Sequence, residues 1–402
     1  MSNIILLGVV CCLTLACQPS VTISYELSED QLSSLDSLFS TAVAERQIPG
    51  AVALIANKDD ILLHKAWGYS DVEGSEAQST EDIFRLASMT KPITALAAMM
   101  LYEQGAFTLD DSLATYIPSF RHPQILDEYH LQDSSFSAHP ASKPISIRQL
   151  FTHSSGIGYG FQNDSLMAIF EKHGITEGFE ERDILLADNV EQIAQMPLLH
   201  EPGEKFTYGL STDVLGRLIE IWSGQPLDEY LHQAIFEPLA MEDTYFYLPT
   251  AKAERLTPVY MTTDSGVSPT DYPLIHYPVR GAKRYFSGGA DLNGTVHDYY
   301  RFCQLLLAGR SFNGRQLLKP ETLALMTQDH LGDGSMGLGV GIQTKHSEDN
   351  PRSLGSYSWG GFFATTFWVD PEQEIIAILL LQVYPFEHWE IQNRFEQIIY
   401  AQ

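Results

Sequence analysis

Ser88 and Lys91 stand three residues apart in Ser88-Met89-Thr90-Lys91, just ahead of the apolar run Pro92-Ile93-Thr94-Ala95-Leu96-Ala97-Ala98-Met99-Met100-Leu101. On a helix that spacing places both side chains on one face, with the ammonium beside the hydroxyl. A serine hydroxyl is a weak nucleophile until a neighbour takes its proton. Backbone N–H groups at a helix start also favour any negative charge that forms there. One short segment therefore offers nucleophile, cation and anion-stabilising backbone together. Pro92 agrees with a helix start, where a missing N–H is tolerated. The pattern is short enough to arise by chance, and the competing reading makes Ser88 a plain helix N-cap. It is the only serine in the chain followed by lysine at this distance.

The elements that must position such a site belong to a chain of 402 residues, long enough for two or three domain-sized units or one large two-part domain. Hydrophobic content of 44% and charged content of 19% are those of a globular enzyme, not of a disordered or fibrous chain. With 51 acidic against 24 basic residues the formal charge is −27, which argues against nucleic acid and anionic membrane surfaces as partners. A small molecule is left as the partner, and oligomeric state is not legible.

Ile4 to Ala16 is almost wholly apolar but too short to span a bilayer, and it reads as an export signal over residues 1–17. Its end, Leu13-Thr14-Leu15-Ala16-Cys17, resembles a bacterial lipoprotein box with Cys17 as the lipidated residue, although Thr14 stands where leucine is usual. This predicts a periplasmic or outer-membrane-anchored lipoprotein, with the membrane touched only through that anchor. Of the four cysteines, Cys11, Cys12 and Cys17 fall in this region, so Cys303 is left without an internal disulfide partner and is expected to pack in the core.

Ser28-Glu29-Asp30-Gln31 has the spacing of a capping box, with Leu32, Leu35, Phe39 and Val43 following at helical intervals. Residues 51–56 and 61–67, joined by Asn57-Lys58-Asp59-Asp60, read as a hairpin. Three further strands are predicted at about 338–345, 362–369 and 374–383, the last apolar enough to be buried on both faces, and a helix at 389–400 closes the chain. The middle, about 86 to 280, reads as helices and long loops, clearest at 145–151 and 212–220, and Thr295-Val296-His297-Asp298 looks like a helix cap. The expectation is an α/β fold: an antiparallel sheet of five or more strands flanked by terminal helices, formed by residues 25–85 and 281–402. A mostly helical domain, 86–280, is inserted in it and carries the nucleophile.

Two further boxes follow in order. They are Pro202-Gly203-Glu204-Lys205-Phe206-Thr207-Tyr208-Gly209-Leu210 and, near the end, Trp359-Gly360-Gly361; Leu150-Phe151-Thr152-His153-Ser154-Ser155-Gly156 and Ser287-Gly288-Gly289 lie between the landmarks. From about residue 25 to the end the chain resembles the class C-like serine β-lactamase and DD-peptidase superfamily, most of all the family VIII carboxylesterases. The resemblance implies Tyr208 as the catalytic tyrosine. A phenol is a base at neutral pH only where a nearby cation favours its phenolate, and Lys91 would be that cation. It also implies an oxyanion hole from the backbone N–H groups of Ser88 and Phe362, each such donor contributing on the order of 3 kcal/mol in acyl transfer.

The departures decide the substrate argument. Penicillin-recognising relatives carry asparagine two residues after this tyrosine, and a Lys-Thr-Gly-like triplet on the late strand; here Leu210 and Trp359-Gly360-Gly361 stand there. A site without those partners discriminates poorly for a substrate carboxylate. Trp359, Gly360, Gly361, Leu210 and Tyr159 are therefore expected to line a pocket for a neutral, partly apolar acyl ester, the two glycines letting substrate approach the strand. Lys345, His346 or Arg352 would be the loop cations able to restore an anion site. His153 reads as structural.

No His-Glu-x-x-His or paired-ligand spacing occurs among 13 histidines, so neither metal nor other cofactor is expected, and no Gly-x-Ser-x-Gly elbow is present. The reading is a serine hydrolase forming a covalent acyl-enzyme, preferably a carboxylesterase on short-chain esters. The alternatives are a β-lactamase or DD-peptidase, an acyltransferase, or a non-catalytic binding or sensor protein on the same fold.

Overall fold

The computed structural model describes residues 25–130, 135–310, 313–332, 335–345 and 350–401. The export signal and Cys17 lie outside the described residues, as does His346. Ser28 caps the first helix, Glu29–Ala44, through the reciprocal capping box with Gln31. The chain then forms the hairpin Gly50–Ala56 and Ile61–Asp71, whose turn is tied by Asn57 Oδ1 accepting from the N–H groups of Asp59 and Asp60.

Seven strands form one antiparallel sheet in the spatial order 341–342, 357–361, 365–370, 375–380, 50–56, 61–71, 76–77. Strands from the two ends of the chain thus meet at its centre, where Leu54 pairs with Ile378. Period-two alternation sorts their side chains. Ala53, Ile55, Ala377 and Leu379 face the first helix and the last, Trp389–Ile399. Val52, Leu54, Ile376, Ile378 and Leu380 face the main core and the helix Val296–Ala308. Both central strands are buried throughout, as the apolar run of 375–380 predicts for its own strand. Truncating one of these side chains, as in Ile378→Ala, is expected to cost about 2–5 kcal/mol.

Three expectations are corrected. The middle of the chain is not only helix and loop: Gln124–His130 pairs with Ser135–Pro140, and Tyr260–Thr263 with Gly266–Pro269. Neither hairpin joins the main sheet, and the first alternates too poorly to signal a strand. The strand expected at 338–345 shrinks to Gly341–Ile342. The strand expected from Phe362 begins at Thr365, because Phe362–Ala364 is a turn, with Ala364 at φ 61°, closing a separate strand Tyr357–Gly361. Cys303 is fully buried and burial raises its thiol pKa well above the usual range, which makes it inert packing. Among the described residues no helix is long and apolar enough to cross a membrane.

Candidate active site

Ser88 sits in a 3₁₀ turn, Ala87–Met89, that runs straight into the helix Thr90–Glu103. That helix is apolar nearly all round and buried along most of its length, which fixes it as a central strut, not a surface element. Ala87 takes φ 47°, a left-handed conformation unfavourable for alanine, directly before the nucleophile. The turn is held from both sides. Tyr299 donates its hydroxyl to the Met89 carbonyl at 3.0 Å, and the Leu292 N–H donates to Thr90 Oγ1 at 3.1 Å. Gly361 passes so close that a Cβ there would stand 2.4 Å from the Leu86 carbonyl oxygen. The glycine thus serves contact between strand and nucleophile turn, not the approach of substrate expected from sequence.

Tyr208 reaches the same place from the loop before the helix Ser211–Ser223. Its hydroxyl donates to Ser88 Oγ at 2.6 Å. The loop is tied down by the Thr207 N–H donating to the His153 carbonyl at 2.6 Å and by His200 Nε2 against Thr207 Oγ1 at 2.7 Å. The His153 ring lies 5.1 Å from that of Tyr208 and stacks on Trp359 at 6.1 Å. Burial, helped by the charge of Lys91, pushes the His153 imidazole down to about 3, so it stays neutral at any working pH and packs.

Lys91 Nζ donates to Ser88 Oγ at 3.2 Å, to Tyr159 OH at 3.1 Å and to the Gly289 carbonyl at 2.7 Å, which uses all three ammonium hydrogens. Behind it stands Asp213, fully buried, whose Oδ1 accepts from Ser287 Oγ at 2.6 Å and Tyr285 OH at 3.3 Å. Burial raises the Asp213 pKa, against which the Lys91 charge and these hydrogen bonds act. A Cβ on Gly289 would fall 2.6 Å from Asp213 Oδ2 and 3.5 Å from Lys91 Nζ, so glycine is what leaves the two facing each other. The sequence gives little sign of Asp213, since an acid in the first turn of a helix is ordinary dipole chemistry.

Ser88 opens onto a cavity of about 600 Å³, a size that suits a small ligand, walled mainly by Tyr159, Phe161, Phe179, Tyr272, Phe362 and Tyr384. Tyr159 therefore both touches Lys91 and lines the cavity. Its hydroxyl pKa is raised well above the usual range by burial. Phe362, expected to supply an oxyanion N–H, lines the cavity together with Ser88. The other expected lining residues do not. Leu210 is fully buried in the core at the start of the tyrosine helix. Trp359 packs on the Tyr208 ring at 5.9 Å and is not among the residues that line this cavity, and Gly360 is exposed. Of the loop cations, Arg352 is engaged by Glu396 at 3.1 Å and Lys345 is exposed. Glu177, missed in the sequence, lines the cavity wall. Among the described residues no group of three or more His, Cys, Asp or Glu is arranged to hold a metal ion.

A family profile described as Beta-lactamase matches residues 35–400. Esterase EstB of Burkholderia gladioli is 32% identical, over 86% of this chain and 89% of that one. Lovastatin esterase of Penicillium rubens is 27% identical, over 87% of this chain and 92% of that one. The structure of EstCE1, described as a hydrolase with promiscuous acyltransferase activity, superposes with a TM-score of 0.80 at 27% identity, over 92% of this chain and 98% of that chain.

Proposed function

The chain is a serine hydrolase of the Beta-lactamase family, and on that premise we propose that it is a carboxylesterase that turns over neutral, short-chain acyl esters through a covalent acyl-enzyme. One observation carries the reading: Tyr208 OH and Lys91 Nζ converge on Ser88 Oγ at the mouth of an aromatic cavity. Esterase activity in two relatives supports the choice of ester over β-lactam. Arg352, one of the loop cations that could have restored an anion site, is instead paired with Glu396 of the last helix.

In this mechanism Tyr208 reacts as the phenolate, its own proton having been released to solvent, and Ser88 Oγ attacks the ester carbonyl carbon while the Ser88 proton passes to the Tyr208 oxygen. The carbonyl electron pair moves to the oxygen, held by the N–H groups of Ser88 and Phe362. The bond to the leaving alcohol then breaks, and Tyr208 returns the proton to that oxygen. Water next attacks the acyl carbon, gives a proton to Tyr208, and Ser88 leaves with it. Lys91 keeps Ser88 and Tyr208 in register through its hydrogen bond to Ser88 Oγ and its place over the Tyr208 ring. When an alcohol replaces water the same steps transfer the acyl group, a second reading favoured by the description of EstCE1.

The test compares p-nitrophenyl butyrate with nitrocefin on the native protein and on Ser88→Ala. Turnover of the ester that is lost in the variant is the expected result. Turnover of nitrocefin alone removes the ester assignment, and equal activity in Ser88→Ala removes the mechanism. Export and lipid attachment at Cys17 are proposed on the sequence alone. Cys17→Ser is expected to move the protein from the membrane fraction to the soluble fraction, and an unchanged distribution would refute the anchor.

A further inference from the structure

We propose that Glu177 makes the substrate cavity select by charge, admitting neutral or ammonium-bearing ester groups and turning away those that carry a carboxylate. The inference rests on the esterase reading and names the substrate class within it. Glu177 lines the same cavity as Ser88, among the aromatic side chains Tyr159, Phe161, Phe179 and Phe362. Its carboxylate is not free to swing out, because Oε1 accepts the Gly160 N–H, and the Phe161 N–H is bonded to the same group. Those amides belong to the turn that carries Tyr159, the partner of Lys91, and Phe161, a cavity wall. A fixed, half-buried carboxylate interacts more strongly with a ligand charge than one in water.

The surrounding charges do not cancel it. Glu180 and Glu181 line the cavity too, and its one guanidinium, Arg182, is spent on Glu180 at 2.6 Å. Asp213 and Asp291 are buried acids beyond Tyr159, and Tyr272 stands on the facing wall. Lys91 is occupied by Ser88, Tyr159 and the Gly289 carbonyl. Burial, reinforced by Asp213, pushes the Glu177 carboxyl up to about 7 against the pull of the two amides. Selection by charge is therefore strong above neutral pH and fades below it.

The experiment uses three p-nitrophenyl esters of one acyl length, ending in a methyl (hexanoate), a carboxylate (hydrogen adipate) and an ammonium (6-aminohexanoate). The readout is the ratio of kcat/KM values within one protein, so partial loss of folding cancels. At pH 8 the native enzyme is expected to disfavour the adipate about tenfold or more against hexanoate, with the ammonium ester at least equal to hexanoate. At pH 6 the ratio shrinks towards one. Glu177→Gln is expected to flatten this pH dependence and to raise the relative rate on adipate about tenfold. A native ratio that is the same at pH 6 and pH 8, or a variant that keeps the native ratio, overturns the proposal. The native pH series answers the question even where the variant fails to fold. Hydrolysis of none of the three esters would instead refute the esterase reading itself.

Discussion

Lys91 Nζ lies over the face of the Tyr208 ring, 4.7 Å from its centre, while both side chains hydrogen-bond the same Ser88 oxygen. The ammonium therefore acts on the phenol through the ring face and on the nucleophile through a direct hydrogen bond. It does so without occupying the phenolic oxygen, which is left to move the proton. That division makes Tyr208 the group that carries the proton and Lys91 the group that holds the charge.

Tyr208→Phe keeps the ring packed between His153, Tyr159 and Trp359 and removes only the hydroxyl. Steady-state hydrolysis of p-nitrophenyl butyrate is expected to lose on the order of 10²–10⁴ in kcat, the usual contribution of a positioned acid or base, with KM nearly unchanged. A loss under tenfold would move the proton-transfer role to another group.

Asp213→Asn retains a partner for Ser287 and Tyr285 but removes the charge behind Lys91. The Lys91 charge and the Asp213 carboxyl act on each other, so kcat is expected to fall roughly tenfold to a hundredfold, about 1–3 kcal/mol, with KM little altered. Gly289→Ala should lower kcat as well, because its Cβ would intrude on Asp213 Oδ2 and approach Lys91 Nζ. Equal changes in KM and kcat in Asp213→Asn would mark a general loosening of the site instead of an electrostatic role.

Leu210→Asn tests the reading of the penicillin-type motif. The side chain is fully buried, so the new amide would be stranded in the core at a cost of about 1–3 kcal/mol before the lost packing is counted. Tm is expected to drop by about 2–4 °C or more, with no gain in nitrocefin turnover. A gain in turnover on a stable variant would place residue 210 against substrate after all.

The residues that carry local signals were legible from sequence. The Ser88–Lys91 spacing, the capping box at Ser28 and the unbroken apolar runs at 50–56 and 375–380 each follow from short-range geometry, and each stands in the structure. Family resemblance added Tyr208, which has no local signature beyond its loop. What stayed hidden depends on contacts between distant segments. Asp213 looks like a helix-start acid until the Ser287–Gly289 segment is folded against it, and Glu177 looks like a loop residue until Gly160 and Phe161 bind it. Leu210 and Gly361 misled for the same reason: motif position fixes where the backbone runs, and packing decides which way it turns a side chain.

Stability offers a measure of Glu177 that is independent of turnover. In the folded chain its carboxyl is pushed from 4.5 up to about 7, mainly by burial, whereas the unfolded chain releases that proton near 4.5. Between those values the folded state holds a proton that the unfolded state has lost, so the stability it contributes is present below pH 4.5 and is lost as pH rises towards 7. Above 7 the buried charge is fully formed and the penalty is constant. Glu177→Gln removes this titration and leaves the other acids in place, among them Asp298, whose carboxyl is raised to about 6. Calorimetry on the pair is therefore expected to give nearly equal Tm values at pH 5 and a variant that melts higher by about 2 °C or more at pH 8. A variant that melts lower than the native protein at pH 8 would mean that the Gly160 and Phe161 amides gain more from the carboxylate than its burial costs.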